Sequence, residues 1–326
     1  MARGRFAALI RLPKEMEEQV DSKMLERRDV LNLMGLSGLS VGLGGLTCSK
    51  SEAGNFTGGN TGMGEKGGGP RVGLCTIAFS ERPLEEVLEL AARVGFDGVE
   101  LWGKPDHLPL TRSDAEVTAV RDKIKGVGLK DCVYGSYVRL GDGQEAQAKD
   151  KDFDRTIRIA TLLGASIVRI WAGTKNSELL SKDEWMRMVE DGKRFCGKAE
   201  KAGVVLALEM HPDCATNKAR ATVGLIRQVG SPSLKANYQV IEDEDSYERA
   251  RIAAPYVVNV HAQTLSKAKE RPLLSEGTVD FKKIYEIFRP YGFKGFFEIE
   301  FVRGRTYEEK TAALAADFRY LKSIGA

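Results

Sequence analysis

The feature that most constrains the fold is a repeated alternation of short apolar runs and longer helical patterns from residue 71 onward. Each run is followed by apolar residues at helical spacing, and the eight runs lie near residues 72–79, 98–102, 129–138, 166–172, 203–211, 234–240, 256–262 and 295–302. Strands that alternate with helices in this way form a parallel sheet. Eight such units over about 250 residues predict a single-domain α/β fold, the closed (β/α)8 barrel.

The helical stretches carry signals of their own. One stretch opens with Pro83 and closes with Gly95, the usual asymmetry of helix ends, and Leu84, Leu88 and Ala91 recur with the helical period. The main alternative is an open, doubly wound sheet, which binds nucleotides through a glycine-rich turn after its first strand. The first apolar run, RVGLCTIAFS, is not followed by such a turn. We therefore favour the barrel.

The first seventy residues differ in character from the rest. Arg27 and Arg28 precede an uncharged stretch, residues 30–47, which is typical of a twin-arginine export signal. Its glycines and polar residues leave it short of the roughly 20 apolar residues that a membrane span requires. We expect export to the periplasm and no transmembrane span in the mature protein.

The chain is thus expected to have three parts. Met24 resembles a conventional start for the signal, so residues 1–23 are interpreted as an over-long start. Cys48 follows a poor lipoprotein cleavage pattern, which makes a lipid anchor the less favoured alternative to simple cleavage. The predicted parts are an export signal region over residues 1–48, a glycine-rich flexible linker over 49–70 and a catalytic barrel over 71–326.

The charge balance narrows the class of partner. The chain carries 49 Lys and Arg against 46 Asp and Glu, a formal charge of +3. A nucleic-acid-binding face normally shows as a clear basic excess, so nucleic acid is not the expected partner. The five cysteines show neither disulfide nor metal-finger spacing. A small molecule is the expected partner, and the sequence leaves open whether the protein is a homo-oligomer.

Polar side chains occupy alternate positions near the ends of the later strands. The fifth run, VVLALEMHPD, is apolar until Glu209 and His211, which share one face. Three later runs repeat the pattern, with the sets Lys235, Asn237 and Gln239, then Asn259, His261 and Gln263, then Glu298 and Glu300. These side chains are expected to point into the barrel near the carboxyl ends of its strands.

Buried acids in a barrel interior require a partner, because an unpaired buried charge is strongly unfavourable. A divalent cation is the simplest partner for Glu209 and Glu300, which we predict to act as the acid and base. Two carboxylates across a metal can move a proton between adjacent carbons while the cation stabilises an enediolate. The alternative is a salt-bridge network of the two glutamates with Lys235 or Arg169.

Further polar and aromatic residues are candidates for substrate contacts. Each has an alternative role. The tryptophans could serve only in packing, Glu100 and Arg169 could form a buried ion pair, His211 could be hydrogen-bonded without binding metal, and His107 could be a plain loop residue. The candidates are His211, Glu100, Trp102, Arg169, Trp171, His107, Gln263 and Arg303.

Several motifs in order resemble the xylose isomerase-like TIM barrel superfamily of sugar phosphate isomerases and epimerases. They are GFDGVELWG, LALEMHPD, LKANYQV, YVVNVHAQT, LLSEGTVDF and YGFKGFFEIE. The resemblance implies a divalent metal (Mn, Mg, Co or Zn) bound by Glu209, His261 and Glu300. At the sixth strand the family usually has Asp, whereas this chain has Gln239, whose oxygen can still bind a hard cation. Glu242 and Asp243 are alternative ligands at that position.

These observations predict a metal-dependent sugar isomerase or epimerase that abstracts a proton alpha to a carbonyl. Since exported proteins rarely meet sugar phosphates, the expected substrate is an unphosphorylated or oxidised sugar or a small hydroxy-carbonyl compound. The alternatives are a lyase or dehydratase of the same superfamily, for example on 3-keto-glycosides, and a non-catalytic exported sugar-binding barrel. A DNA-repair endonuclease with three zinc ions is disfavoured, because the chain has only 3 histidines.

Overall fold

The computed structural model describes residues 69–241, 244–264 and 271–325. In these residues, eight parallel strands close into a barrel in chain order: β1 Arg71–Cys75, β2 Gly98–Trp102, β3 Asp131–Leu140, β4 Ile167–Ala172, β5 Val205–Glu209, β6 Leu234–Gln239, β7 Val257–Ala262 and β8 Phe296–Ile299. The predicted export signal with Cys48, most of the predicted linker, and the acids Glu242 and Asp243 lie outside the described residues.

Helices follow the strands around the outside of the barrel. They are α1 Leu84–Val94, α2 Asp114–Gly126, α3 Ala146–Leu163, α4 Lys182–Lys201, α5 Ala219–Val229, α6 Ser246–Ala253, α7 Phe281–Phe288 and α8 Tyr307–Ser323. The (β/α)8 prediction is confirmed. Of the helices that the structure describes, none is long and apolar enough to cross a membrane.

The first strand is shorter than the apolar run that predicts it. The chain leaves the sheet after Cys75, and Thr76–Phe79 forms a 3-10 turn. The hydroxyl of Thr76 accepts a hydrogen bond from the backbone N–H of Trp102 and lies 2.8 Å from Nδ1 of His107. These tertiary contacts account for the turn in a stretch whose apolar composition alone favours a strand.

The apolar core lies between the barrel and its helices, whereas the barrel interior is largely polar toward the carboxyl ends of the strands. In β5, Leu206 and Leu208 face the helices, and Ala207 and Glu209 face inward; all four are buried. The inward-facing side chains of β5 thus end in a carboxylate. This is expected of a strand that leads into a site, because the sites of such barrels lie at the carboxyl ends of their strands.

A fully buried arginine donates hydrogen bonds to the backbone at the ends of both β5 and β6. Arg249, on α6, donates from Nη2 to the carbonyl of Met210 at 2.6 Å and from Nε to that of Gln239 at 2.9 Å. Its Nη1 donates to the carbonyl of Asn217 at 2.7 Å and forms an ion pair with Glu244. One side chain therefore satisfies three loop and strand-end carbonyls and fixes the backbone that carries Glu209 and Gln239.

Candidate functional site

Four side chains that the sequence singles out as metal ligands come together at the barrel mouth. Parallel pairing aligns Gln239 of β6 with His261 of β7. Glu209 ends the neighbouring strand β5, and Glu300 follows β8, where its backbone N–H donates to the carbonyl of Ala262. Adjacent strands thus bring all four side chains to one side of the mouth.

The imidazole of His261 is the centre of this group. Its Nδ1 lies 3.3 Å from Oε1 of Gln239, 3.5 Å from Oε1 of Glu209 and 3.6 Å from Oε1 of Glu300. All four side chains are buried. Three oxygens, two from strand ends and one from the residue after β8, therefore lie near one ring nitrogen.

The other nitrogen of His261 contacts a carboxylate that the sequence did not link to it. Nε2 lies 2.9 Å from Oε2 of Glu100 on β2. Burial lowers the pKa of His261, but Cys75, Glu100 and Glu300 raise it well above its ordinary value, so the ring is a cation in the absence of a metal. A divalent cation at Nδ1 would take the place of the proton there and leave Nε2 donating to Glu100. Metal-binding histidines are commonly oriented by a carboxylate in this way.

Arg169, on β4, places a positive charge between two of the acids. Its Nη2 lies 3.2 Å from Oε1 of Glu100, its Nε lies 3.1 Å from Oε2 of Glu209, and Nη1 donates to the carbonyl of Ser136. The contact with Glu209 is an ion pair without an aligned hydrogen bond. One oxygen of Glu209 thus faces the guanidinium while the other faces His261.

Two of the buried acids are held ionised. Burial alone would raise the pKa of Glu100, but His261 and Arg169 lower it to about 2. Burial likewise opposes ionisation of Glu209, but Arg169 and His261 bring its pKa below the ordinary value. The cations Arg169 and His261 account for both shifts.

The pKa values of Glu298, on β8, and of Glu300, just after it, are raised. Burial raises the pKa of Glu300 to about 7, with His261 opposing the change and Glu209 reinforcing it. Burial and the nearby Glu100 raise the pKa of Glu298 well above its ordinary value. Neither carboxyl group forms an ion pair with Arg or Lys within the described part of the chain, so burial determines the direction of both pKa shifts.

The group at Nδ1 of His261 fits a hard divalent cation. In the part of the chain that the structure describes, the four buried carboxyl groups of Glu100, Glu209, Glu298 and Glu300 face two bases, Arg169 and His261. Among the described residues, Oε2 of Glu300 is buried without a hydrogen-bond donor. Glu209, Glu300, the amide oxygen of Gln239 and Nδ1 of His261 offer the oxygen and imidazole ligands that Mn, Mg, Co or Zn accept.

A second acidic cluster lies on the other side of His261 and shares it with the first. It consists of Cys75, Glu100, His261 and Glu298. Asn259 donates to Oε2 of Glu298, and the thiol of Cys75 lies 4.0 Å from the same oxygen. The amide and thiol solvate the Glu298 carboxyl, which is fully buried.

Aromatic residues form the wall of the mouth on the side of β2 to β5. The indole N–H of Trp102 donates to the hydroxyl of Tyr137 at 2.7 Å, and the Tyr137 ring stacks on Trp171 with centroids 6.0 Å apart. The Trp171 ring meets the edge of His211 at 5.0 Å. The predicted contact residues Trp102, Trp171 and His211 therefore lie close together. Tyr137, which connects the two tryptophans, was not among the residues predicted from the sequence.

The other residues predicted to contact substrate, His107, Arg303 and Gln263, bond to other parts of the protein. His107 is fully buried, with Nδ1 against Thr76 and Nε2 3.1 Å from the carbonyl of Arg82, so we assign it a structural role in place of the predicted substrate contact. Arg303 forms an ion pair with Glu276 at 2.9 Å. Gln263 accepts a hydrogen bond from Arg271.

Gly135, on β3, leaves the space that the buried ion pair of Glu100 and Arg169 fills. A Cβ at this position would lie 2.5 Å from Oε1 of Glu100 and 3.1 Å from Nη2 of Arg169. We expect Gly135→Ala to lower the free energy of unfolding by about 1–3 kcal/mol, the usual effect of overpacking. Urea unfolding followed by circular dichroism measures this change.

The matched control is Gly197→Ala, in the exposed part of α4, where a Cβ meets nothing within 4 Å. Alanine is the better helix former, so this variant is expected to gain up to about 1 kcal/mol. An unchanged stability of Gly135→Ala would show that the ion pair can move aside freely.

The fold and the site place the chain among (β/α)8 barrels whose polar side chains gather at the carboxyl ends of the strands. The chain belongs to the xylose isomerase-like TIM barrel family, whose sequence profile matches residues 88–324. This confirms the family resemblance inferred from the motifs.

Two kinds of named relative stand out. The chain is 23% identical over 208 residues to a 3-dehydroshikimate dehydratase of Bacillus anthracis, covering 60% of this chain and 72% of the relative. It is similar in structure to the probable 3-DHS dehydratase of petrobactin synthesis from Bacillus anthracis, with a TM-score of 0.63, 19% identity, and 78% and 99% of the two chains covered. The D-psicose 3-epimerase crystallised with D-fructose gives a TM-score of 0.58 and 20% identity, covering 78% and 95%. Both kinds are enzymes.

Proposed function

We propose that the protein is a metal-dependent enzyme that removes a proton from the carbon next to a carbonyl group, and that it isomerises or epimerises a hydroxy-carbonyl substrate. The observation that carries this proposal is the approach of both Glu209 and Glu300 to Nδ1 of His261, at 3.5 Å and 3.6 Å. Two carboxyl groups at one mouth can remove and return a proton.

Their surroundings suggest a division of roles. Glu209 is in contact with the guanidinium of Arg169, which favours its ionised form, and it acts as the base that takes the proton from carbon. Glu300 lacks a Lys or Arg partner in the described residues and acts as the acid that returns a proton to the neighbouring atom. A divalent cation bound by Glu209, Gln239, His261 and Glu300 would polarise the substrate carbonyl.

A dehydratase is the second candidate, and the curated relative favours it. The same base would take the proton from carbon. The carbon–oxygen bond at the neighbouring position would then break, and the leaving hydroxyl would depart as water with the proton of Glu300. Isomerase and dehydratase therefore differ in where the second proton goes.

Two probes distinguish these candidates. The full chain, supplied with Mn²⁺ or Mg²⁺, is incubated in deuterated water with D-fructose or with 3-dehydroshikimate and followed by NMR. Deuterium beside the carbonyl together with an epimer or isomer supports the first proposal. Loss of water from 3-dehydroshikimate to an aromatic dihydroxybenzoate supports the dehydratase. Absence of both reactions, and of any proton exchange, would favour the sugar-binding barrel without catalysis.

Metal removal is expected to abolish exchange. After dialysis against a chelator, the rate should fall to background and recover with added Mn²⁺ or Mg²⁺. Because a cation that binds only the folded state stabilises it, saturation at about 100 times Kd should add roughly 2.7 kcal/mol to the free energy of unfolding. Calorimetric titration of the metal and thermal unfolding measure the two effects.

The control for metal binding compares Glu209→Gln with Glu286→Gln, which alters an exposed acid on α7. The first should weaken metal binding, and the second should leave it unchanged. Equal metal affinities in both variants would contradict the assignment of Glu209 as a ligand.

A further inference from the structure

Glu100 joins two other side chains of the barrel interior, Arg169 and His261. Its strand, β2, is separated from β4 by β3, where Gly135 has no side chain that would keep Glu100 and Arg169 apart. Oε1 of Glu100 therefore accepts hydrogen bonds from Nη2 and Nε of Arg169, at 3.2 Å and 3.3 Å. Oε2 lies 2.9 Å from Nε2 of His261 on β7. Both carboxylate oxygens are thus used within the protein.

Both partners of Glu100 contact the carboxylate that we assign as the base. Nε of Arg169 lies 3.1 Å from Oε2 of Glu209, and Nδ1 of His261 lies 3.5 Å from Oε1 of the same carboxylate. The two groups beside Glu209 therefore share one anchor. A displacement of Glu100 would release both of them at once.

The surroundings of Glu100 leave it little freedom to move or to bind a ligand. Its side chain is buried, with 3% of the residue exposed. Arg169 is held from the other side as well, because its Nη1 donates to the carbonyl of Ser136 at 2.8 Å and the Ser136 hydroxyl donates to the carbonyl of Arg169 at 2.8 Å. A substrate that bound to Glu100 would have to displace Arg169 or His261. The position therefore suits a residue that holds other groups in place.

We propose that Glu100 is a positioning residue, which fixes the ring of His261 with Nδ1 toward the metal site and fixes Arg169 against Glu209. This inference rests on the proposed function and replaces the substrate contact predicted for Glu100. A carboxylate is needed, because both of its partners donate. A glutamine of the same length has one acceptor oxygen, and its NH2 group would face the second donor.

Metal binding to the full chain tests the proposal without turnover. Calorimetric titration with Mn²⁺ or Mg²⁺ should show an affinity about 10–100-fold lower in Glu100→Gln than in the wild type, the usual effect of removing the partner of a metal-binding histidine. Glu100→Asp keeps the charge and should recover part of the loss. The control is Asp191→Asn, which changes a buried carboxylate on α4, outside the barrel, that is paired with Lys149 and Arg194. It should leave the affinity unchanged.

Kinetics at saturating metal separate positioning from substrate contact. On whichever probe the wild type processes, Glu100→Gln should lower kcat by about tenfold or more and change KM by less than about twofold. Loss of a substrate contact would raise KM instead. Thermal unfolding verifies that the variants are folded. Should Glu100→Gln fail to fold, Glu100→Asp carries the test, because the shorter carboxylate cannot reach Arg169 and His261 together and should weaken metal binding to a smaller degree.

Wild-type metal affinity in the folded Glu100 variant would overturn the proposal, and so would a raised KM with metal affinity and kcat unchanged. An equal loss of affinity in Asp191→Asn would also overturn it, since the loss would then reflect general destabilisation. Weaker metal binding in Glu100→Gln, with no proton exchange in the wild type, would support the positioning role and refute the proposed function. Proton exchange in the wild type that Glu100→Gln leaves unchanged would do the reverse.

Discussion

Glu209→Gln is expected to lower the rate of substrate proton exchange by about 10²–10⁴-fold, the usual contribution of a general base. The amide keeps the shape of the side chain but cannot accept the proton. Arg169 retains Glu100 as a partner, so the fold should survive. NMR measurement of deuterium incorporation, on whichever of the two probes the wild type processes, gives the rate.

The control is Glu298→Gln, which changes another buried acid of the same interior face. Glu298 lies deeper and contacts Asn259 and Cys75, so its replacement should reduce exchange by less than about tenfold, well below the effect of a general base. Thermal unfolding of both variants verifies that they are folded. Exchange at the wild-type rate in folded Glu209→Gln would remove Glu209 from the catalytic role.

Arg249→Met is expected to have the largest effect on stability. It removes the fully buried member of an ion pair with the half-buried Glu244 and leaves the carbonyls of Met210, Asn217 and Gln239 without their donor. Breaking a buried pair in this way costs about 3–5 kcal/mol. Against a total of about 5–15 kcal/mol for a typical protein, this loss brings the chain close to unfolding. Urea unfolding measures it.

Two further variants separate the role of Arg249 from a general effect on α6. Arg251→Met removes an exposed arginine of the same helix and should change the free energy of unfolding by no more than about 0.5 kcal/mol. Arg249→Lys keeps the charge but cannot reach three carbonyls with one planar group, so it should remain strongly destabilised. A loss below 1 kcal/mol in Arg249→Met would contradict the structural role.

The fold could be predicted from the sequence because its signals are local. The second strand is found at Gly98–Trp102, the residues predicted. Helix α1 begins directly after Pro83 and ends at Val94, and Gly95 caps it with a φ of 102°. Strand ends were less predictable: the first apolar run continues to residue 79, but the sheet ends at Cys75. Contacts made by Thr76 with distant residues determine that end, and no local pattern contains them.

The site could be predicted only in part. Alternation along single strands placed Glu209, Gln239, His261 and Glu300 among the inward-facing polar residues at strand ends, and the family resemblance then selected these four as ligands. The contact between Glu100 and His261 joins β2 to β7 across the barrel and could not be inferred from either strand alone. The same holds for Arg249: a lone arginine on a short helix gives no sign that it will be fully buried.

The aromatic wall and the acids at the mouth lie on different strands of the barrel. Under the proposed function, the groups that move protons lie on and after β5 to β8, whereas Trp102, Tyr137 and Trp171 lie on β2 to β4. Changes in these three side chains would alter which molecules are admitted while leaving the proton-transfer groups intact. Directed evolution toward new substrates should therefore begin by randomising positions 102, 137 and 171.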